Sequence, residues 1–221
     1  MAKSTAKQTI VDAFVANVEA GSLRSVQVAR LIKELGINRN TFYYHFPSKY
    51  DVAVHVFRTD LAARLVEAFP ESELVYAPFG QGPDAVDLPF YVHREIGART
   101  LDFGDFFKEL VRCVLERPQF YKNLFTRKEP EFKALVDGLY RPAVSSDLAF
   151  VLGGRYLPQS TFHYFECKYT DLVFDTANYY LKHTLDAESM LNDAINPFWN
   201  MPYESLVHEL QMHPVNRPRR T

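Results

Sequence analysis

The stretch at residues 26–52, VQVARLIKELGINRNTFYYHFPSKYDV, constrains the fold more than any other part of the sequence. Its apolar residues recur at helical spacing as far as Leu35, which predicts a helix with one apolar face. Gly36 then stands where a helix ends in a left-handed residue, and Asn38 can cap a second helix through its side-chain oxygen. Pro47 ends that second helix, because a proline disfavours helical geometry at the preceding residue. The stretch therefore predicts two short helices joined by a tight turn.

The second of these helices has an apolar inner face and a polar outer face. Phe42 and Phe46 lie four residues apart, so both point inward. The residues left on the outward face are Arg39, Asn40, Tyr43 and Tyr44. Arg39 can offer paired donors to guanine, and Asn40 can pair in the same bidentate way with adenine. The side chains suited to phosphate contacts are Thr41, Tyr43 and Lys49. This pattern predicts a helix-turn-helix whose second helix enters a DNA groove.

The segment TFYYHFPSK, together with the turn before it, resembles the DNA-binding domain of TetR-family transcriptional regulators. That family's pattern is a turn followed by Thr, an apolar residue, Tyr, any residue, His or Tyr, Phe, two further residues and Lys. The matching positions here are Thr41, Phe42, Tyr43, His45, Phe46 and Lys49. The similarity covers about residues 5–65. One position departs from the family, which usually has Ala four residues before the turn glycine, where this chain has Ile32.

The resemblance implies an all-α protein with two parts. A three-helix DNA-binding domain at residues 1–49 would precede a larger helical domain for ligand binding and dimerisation at 50–221. A fourth helix, at 50–69, would connect the two. In the family, the positions of Thr41, Tyr43 and Lys49 hold the DNA backbone, and the position of His45 lies against the DNA.

Charge is distributed unevenly along the chain. Residues 1–66 contain nine lysines and arginines and five acidic residues, whereas the whole chain contains 25 and 27. The N-terminal part is therefore basic and the remainder acidic, which predicts that only the first is attracted to phosphate. Helical hairpins with merely solvated charged faces show the same apolar spacings. In this short stretch, however, the turn, the helix cap, the helix-ending proline and the basic outer face all indicate a helix-turn-helix.

Several classes of protein are disfavoured by the sequence. No apolar run is long enough to cross a bilayer, and residues 1–9 are polar, so we expect no membrane partner and no signal peptide. Cys113 and Cys167 fit neither a disulfide framework nor a zinc spacing, which favours reduced thiols in a cytoplasmic protein. The sequence has no phosphate-binding loop, nucleophile elbow or zinc-protease motif, so we expect no enzyme activity and no cofactor.

One group of polar residues suggests a metal site. His163, Glu166 and Cys167 fall within one helical turn. There is no second histidine four residues from the first, so a mixed surface-and-core helix face is favoured over metal binding. We therefore predict no metal site.

The part after residue 70 reads as a loop followed by helices. Prolines and glycines concentrate at 70–89, which predicts a loop or flap. Apolar spacing predicts helices at 105–116, from Pro118 onward, at 131–140, at 162–185 and at 202–211. The basic tail at 216–221 is expected to be disordered.

The long helix at 162–185 carries an apolar stripe wider than one small domain needs for its own core. Together with the dimeric architecture that the resemblance implies, this stripe predicts a homodimer with two-fold symmetry. The residues expected at the interface are Phe165, Leu172, Tyr180 and Leu181.

Aromatic residues of the C-terminal part are the candidates for ligand binding. Aromatic rings pack cores, but they also line pockets for small molecules. We expect an apolar pocket between the helix at 105–116 and the long helix. Its expected lining is Phe106, Phe107, Leu110, Tyr121, Phe125, Tyr169 and Val173.

These observations predict a sequence-specific transcriptional regulator. It would be a dimeric repressor that binds palindromic double-stranded operator DNA and is released by a small, largely apolar effector. One alternative is a regulator of the same type that answers to a protein partner or to no ligand. Another is an α-helical enzyme or metal-binding protein with an incidental helix-turn-helix.

Overall fold

The computed structural model describes residues 5–80, 85–125 and 129–183. The N-terminal domain consists of three helices, α1 (Ala6–Ala20), α2 (Val28–Leu35) and α3 (Arg39–His45). A short 3₁₀ turn at Leu23–Ser25 connects α1 to α2. Thr5 caps α1 by accepting a hydrogen bond from the backbone N–H of Gln8. The apolar sides of the three helices meet in a core that includes Ile10, Phe14, Leu31 and Phe42.

Helix α4 (Lys49–Ala68) joins this domain to the rest of the molecule. Ser48 caps it, because its hydroxyl oxygen accepts from the backbone N–H groups of Tyr50 and Asp51. The buried apolar side of α4 includes Val52, Ala53, Val56, Phe57, Leu61 and Leu65. Helix α4 contacts α1 of the N-terminal domain and, in the remainder, β1 (Leu74–Phe79), β2 (Val86–Val92), α5 (Gly104–Glu116) and α7 (Pro130–Leu152).

Residues 74–92 form a β-hairpin in the region for which the sequence analysis expected a loop or flap. Strand β1 (Leu74–Phe79) pairs antiparallel with β2 (Val86–Val92), with a bulge between Val75 and Tyr76. The strands were not predicted from the sequence because they contain Pro78 and Pro89. In a two-stranded ribbon both strands are edges, where proline is tolerated. A second ribbon joins β3 (Glu95–Gly97) to β4 (Thr100–Leu101). These small sheets are a minor part of a helical fold.

Four helices make up the described remainder of the chain. They are α5 (Gly104–Glu116), α6 (Pro118–Phe125), α7 (Pro130–Leu152) and α8 (Gln159–Lys182). The expected helix at 131–140 is longer, because α7 continues through Pro142. The residue four positions before that proline is Gly138, and both residues are exposed, so water can bond the carbonyl that the proline leaves unpaired. The expected helix at 202–211 and the tail at 216–221 lie outside the described residues.

The two parts of the molecule share a continuous core. Phe14 of α1 contacts Phe120 of α6 edge to face, with ring centroids 6.4 Å apart. Nearby, the side-chain amide of Asn123 donates to the carbonyl of Val18 over 2.7 Å, which satisfies an acceptor at the end of α1. Within the ranges that the structure describes, no helix has both the length and the apolar character needed to cross a membrane.

Candidate DNA-binding surface

The turn between α2 and α3 has the geometry that its sequence predicts. Gly36 is left-handed, with φ of 62°. The N–H of Gly36 donates to the carbonyl of Lys33, and the N–H of Ile37 to that of Ile32, each over 3.2 Å. These bonds satisfy carbonyls that the end of α2 would otherwise leave without partners. Ile32, at the position where the family usually has Ala, is half-buried and packs against the core.

Helix α3 is fixed in place by its buried inner face and at both of its ends. The Asn38 side chain accepts from the backbone N–H of Asn40 over 2.8 Å, so this cap is confirmed. Phe42 is 0% exposed and Phe46 is 3% exposed, which fixes the inner face. Phe46 has extended geometry, with φ of −141°, and therefore ends the helix before Pro47 as expected.

The opposite face of α3 is open to solvent. Arg39 and Asn40 are exposed at its first turn, and Tyr43 and Tyr44 are 41% and 66% exposed further along. The Arg39 guanidinium lies over the Tyr43 ring, 5.3 Å from its centroid. A basic group, an amide and two phenols therefore share one accessible face, which suits base edges and phosphates.

The other two residues expected at this surface are less accessible. Thr41 and His45 are half-buried. The His45 ring contacts the Tyr44 ring edge to face, with centroids 5.0 Å apart. Both residues lie at the flank of the exposed face, where contacts with the DNA backbone remain predictions.

Lys49 is engaged with the protein itself. Its ammonium group donates to the carbonyls of Leu23, Arg24 and Val26 over 2.8, 3.1 and 3.1 Å. Partial burial lowers the pKa of Lys49, and the positive charge of Arg24 acts in the same direction. The carbonyls of Leu23 and Arg24 belong to the 3₁₀ turn, and that of Val26 follows it directly. The phosphate contact expected of Lys49 remains a prediction, and the structure adds a role in holding the turn before α2.

The start of α2 is a part of this surface to which the sequence analysis assigned no base contact. Arg24 and Gln27 are exposed, and Gln27 makes no side-chain cap. The free N–H groups at this end could donate hydrogen bonds to a DNA phosphate. The sequence indicates these free N–H groups, because the residue at the capping position is Gln27 and not Ser, Thr, Asp or Asn.

The residues expected to line a ligand pocket are core residues in this structure. Their exposed fractions range from 0% to 5%. They are Phe106, Phe107, Leu110, Tyr121, Phe125, Tyr169 and Val173. The hydroxyl of Tyr121 donates to the carboxylate of Asp60 over 2.6 Å, so this phenol has a partner on α4.

The residues expected at a dimer interface divide into two groups. Phe165 and Leu172 are half-buried, whereas Tyr180 and Leu181 are buried within the same chain at 4% and 1% exposure.

His163, Glu166 and Cys167 do lie close together, since the histidine Nδ1 is 3.1 Å from Glu166 and its Nε2 is 3.6 Å from Cys167. In the described part of the chain, no group of three or more histidine, cysteine or acidic residues could hold a metal ion.

Comparison with known proteins agrees with this geometry in the N-terminal domain. Residues 10–56 match the family model described as bacterial regulatory proteins, tetR family. No curated protein matches the chain. A tetR-family transcriptional regulator from Streptomyces coelicolor, a solved structure, shares 18% sequence identity with a TM-score of 0.43, over 96% of this chain and 89% of that chain. The matched residues include α2, the turn and α3 whole, so the N-terminal part of the chain is similar to the DNA-binding domain of the TetR family.

Proposed function

We propose that this DNA-binding transcriptional regulator is a dimeric repressor that occupies a palindromic operator and leaves it when an effector binds. The observation that carries the proposal is the exposed face of α3, where Arg39 and Asn40 stand at the first turn above the buried Phe42. The first turn is the end of a recognition helix that meets base edges.

Homodimerisation is supported by the surface of α8. Tyr164 and Tyr179 are 58% and 49% exposed there, and Phe165 and Leu172 are only half-buried. A second copy packed against α8 would remove this apolar surface from water. Two-fold symmetry would then place one α3 helix at each half of a palindromic site.

There are two hypotheses for how the regulator is controlled. In the first, a small, largely apolar ligand binds among the aromatic residues between α5 and α8. The burial of all seven expected lining residues favours the second, in which a protein partner or no ligand controls the regulator. Titration of the operator complex with candidate ligands, followed by fluorescence anisotropy, distinguishes the two hypotheses.

Selection from random duplex DNA, followed by binding curves, tests the DNA-binding surface. The selected sequences should be palindromic. Arg39→Ala should weaken binding to the selected duplex by roughly 1–3 kcal/mol and relax preference at one base pair. Tyr43→Phe should have a smaller effect that is equal on all sequences, because it removes one phosphate donor and keeps the ring. Unchanged affinity of Arg39→Ala for both selected and random duplexes would show that α3 does not face DNA.

The sign of regulation needs a separate measurement. A reporter gene placed behind the selected operator should be expressed less when the protein is present. Higher expression would identify an activator and would leave the assignment of α3 intact.

A further inference from the structure

A cleft lies where the N-terminal domain, α4 and the end of β1 meet. Its volume is about 150 Å³. Its walls come from α1, the end of α3, α4 and β1, and the lining residues that matter below are Lys7, Phe46, Val54, His55, Arg58 and Phe79. None of the seven residues expected to line a pocket in the C-terminal part lines this cleft, so it is a different place.

Arg58 is a buried cation in this cleft. It is 5% exposed, and its Nη atoms donate to the carbonyls of Pro78, Ala77 and Leu88 over 2.5, 2.8 and 3.1 Å. Its Nε–H is buried and has no acceptor in the described part of the chain. Burial lowers the pKa of Arg58, with Tyr140 and Asp87 opposing the shift.

No carboxylate within the described ranges forms an ion pair with Arg58. Buried charges in proteins are normally paired, and a buried donor without an acceptor is costly. An anion in the cleft would supply the missing counter-charge. Three neutral carbonyls hold the guanidinium in place, and Asp87 acts on it without forming an ion pair, so its charge has no direct partner.

A second cation and three aromatic rings complete the walls. The Lys7 ammonium lies 5.8 Å from the Phe46 ring centroid and 5.6 Å from that of Phe79. The His55 ring stacks on Phe79 at 4.5 Å and meets Phe46 edge to face at 5.2 Å. Burial, with the charges of Lys7 and Arg58, lowers the pKa of His55 to about 4, so this ring is an uncharged wall at neutral pH.

We propose that this cleft binds a small aromatic carboxylate, with its carboxylate towards Arg58 and Lys7 and its ring against Phe46 and Phe79. The size fits, because a protein cavity of about 150 Å³ is known to hold benzene. The charge fits as well. Asp51 is the acidic residue among the lining residues, and its carboxylate accepts a hydrogen bond from the Ser48 hydroxyl over 2.6 Å. Lys7 and Arg58 therefore leave the lining with a net positive charge.

The inference goes beyond the proposed function, since binding in the cleft does not depend on an operator. A ligand there would touch Phe46, the residue that ends α3, and Phe79 of the hairpin at the same time. It would thus connect the DNA-binding domain to the hairpin directly, without passing through the aromatic core of the C-terminal part.

Isothermal titration calorimetry with benzoate tests the inference. Benzamide serves as the neutral ligand of similar shape, and acetate as the anion without a ring. We expect benzoate to bind at least about tenfold more tightly than either. The His55 ring resonances should shift in the NMR spectrum on addition of benzoate, and the pKa of His55 should rise because the bound carboxylate favours the charged imidazole.

Two variants locate the site, and one serves as the control. Val54→Phe fills the cleft and Lys7→Ala removes its outer cation, so each should weaken benzoate binding by about tenfold or more. Lys33→Ala makes the same charge change at an exposed position of α2 and should bind as the unaltered protein does. Circular dichroism confirms that each variant is folded, a check that an Arg58 variant could fail.

Three results would overturn the inference. The first is the absence of heat and of any His55 shift at millimolar benzoate. The second is equal affinity for benzoate, benzamide and acetate. The third is undiminished benzoate binding to folded Val54→Phe.

Discussion

Lys49 shows how a single side chain can serve a fold and a surface at once. Its three hydrogen bonds join the first residue of α4 to carbonyls of the segment at 23–26, which precedes α2 in the sequence. The position matches the family's DNA-backbone lysine, yet its donors are occupied by the protein. A phosphate that reaches this lysine would therefore meet a group already fixed in place.

We expect Lys49→Ala to lower the free energy of unfolding by roughly 1–3 kcal/mol, because hydrogen bonds from a charged group are lost. Urea denaturation measures this, with the exposed Lys33→Ala as the control that should change little. If Lys49 also binds a phosphate, the salt dependence of DNA binding should fall by about one unit per half-site. Unchanged stability would contradict the capping role that we assign to it.

His55 gives the protein a specific response to acid. Its pKa is lowered from 6.5 to about 4 by burial and by the charges of Lys7 and Arg58. Between these two values the unfolded chain binds the proton more tightly than the folded chain does. The contribution to stability is therefore complete above about pH 6.5 and is lost as the pH falls towards about 4.

We expect the free energy of unfolding to decrease from about pH 7 to about pH 5, and His55→Gln to flatten this decrease. Urea denaturation at a series of pH values provides the measurement. An NMR titration of the imidazole provides a direct check. An ordinary pKa for His55 in the folded protein would contradict the burial of its ring between Phe46 and Phe79.

At the scale of secondary-structure elements, α3 depends on one side chain more than on any other. Phe42 is fully buried and contacts Phe46 at 6.3 Å and Tyr43 at 5.3 Å between ring centroids. We expect Phe42→Ala to cost roughly 3–5 kcal/mol, because it empties the core beneath the helix. Thermal unfolding monitored by circular dichroism measures the loss.

The matched variant for this test is Tyr44→Ala, which removes a ring of similar size from the exposed face of the same helix. It should change stability by no more than about 0.5 kcal/mol. Comparable losses from the two variants would mean that the inner and outer faces of α3 have been assigned incorrectly.

Elements with local signals were predicted from the sequence, and elements built by distant contacts were not. Gly36, Asn38 and Pro47 act on their immediate neighbours, so the ends of α2 and α3 could be predicted. The β1–β2 hairpin could not, because it depends on pairing between segments that contain prolines and on Arg58, which is 19 to 30 residues away from the carbonyls it bonds.

The same distinction applies to the candidate site. The outward face of α3 follows from helical periodicity alone, and the exposure of Arg39, Asn40, Tyr43 and Tyr44 agrees with it. The partners of Lys49 lie 23 to 26 residues away, and no local pattern indicates them. Periodicity also cannot tell a pocket-lining aromatic residue from a packed one, which is why Tyr121 was expected in a pocket.

At the scale of the whole molecule, α4 ties the two parts together. At its N-terminal end Lys49 holds the segment before α2, and towards its C-terminal end Arg64 forms ion pairs with Glu109 and Glu116 of α5. We therefore predict that a change in the packing of α5 alters the position of the DNA-binding domain through α4.

The assembly prediction also belongs to this scale. We expect a dimer by light scattering, and we expect Tyr179→Glu to produce folded monomers, because this residue is 49% exposed on α8. Leu172→Glu should do the same or give insoluble protein, since Leu172 also packs against its own core. Ala63→Glu, exposed on α4, is the control that should remain dimeric. A monomer that binds a palindromic operator tightly would contradict the prediction.

The packing of α3 against the core has a consequence for how such a protein can evolve. Phe42 and Phe46 hold the helix from below, whereas Arg39, Asn40 and Tyr44 are exposed to solvent on its other side. Substitutions on the outer side can accumulate after gene duplication without loss of the folded state. Preference for a new DNA sequence can thus arise in one copy while Phe42 and Phe46 keep the helix in place.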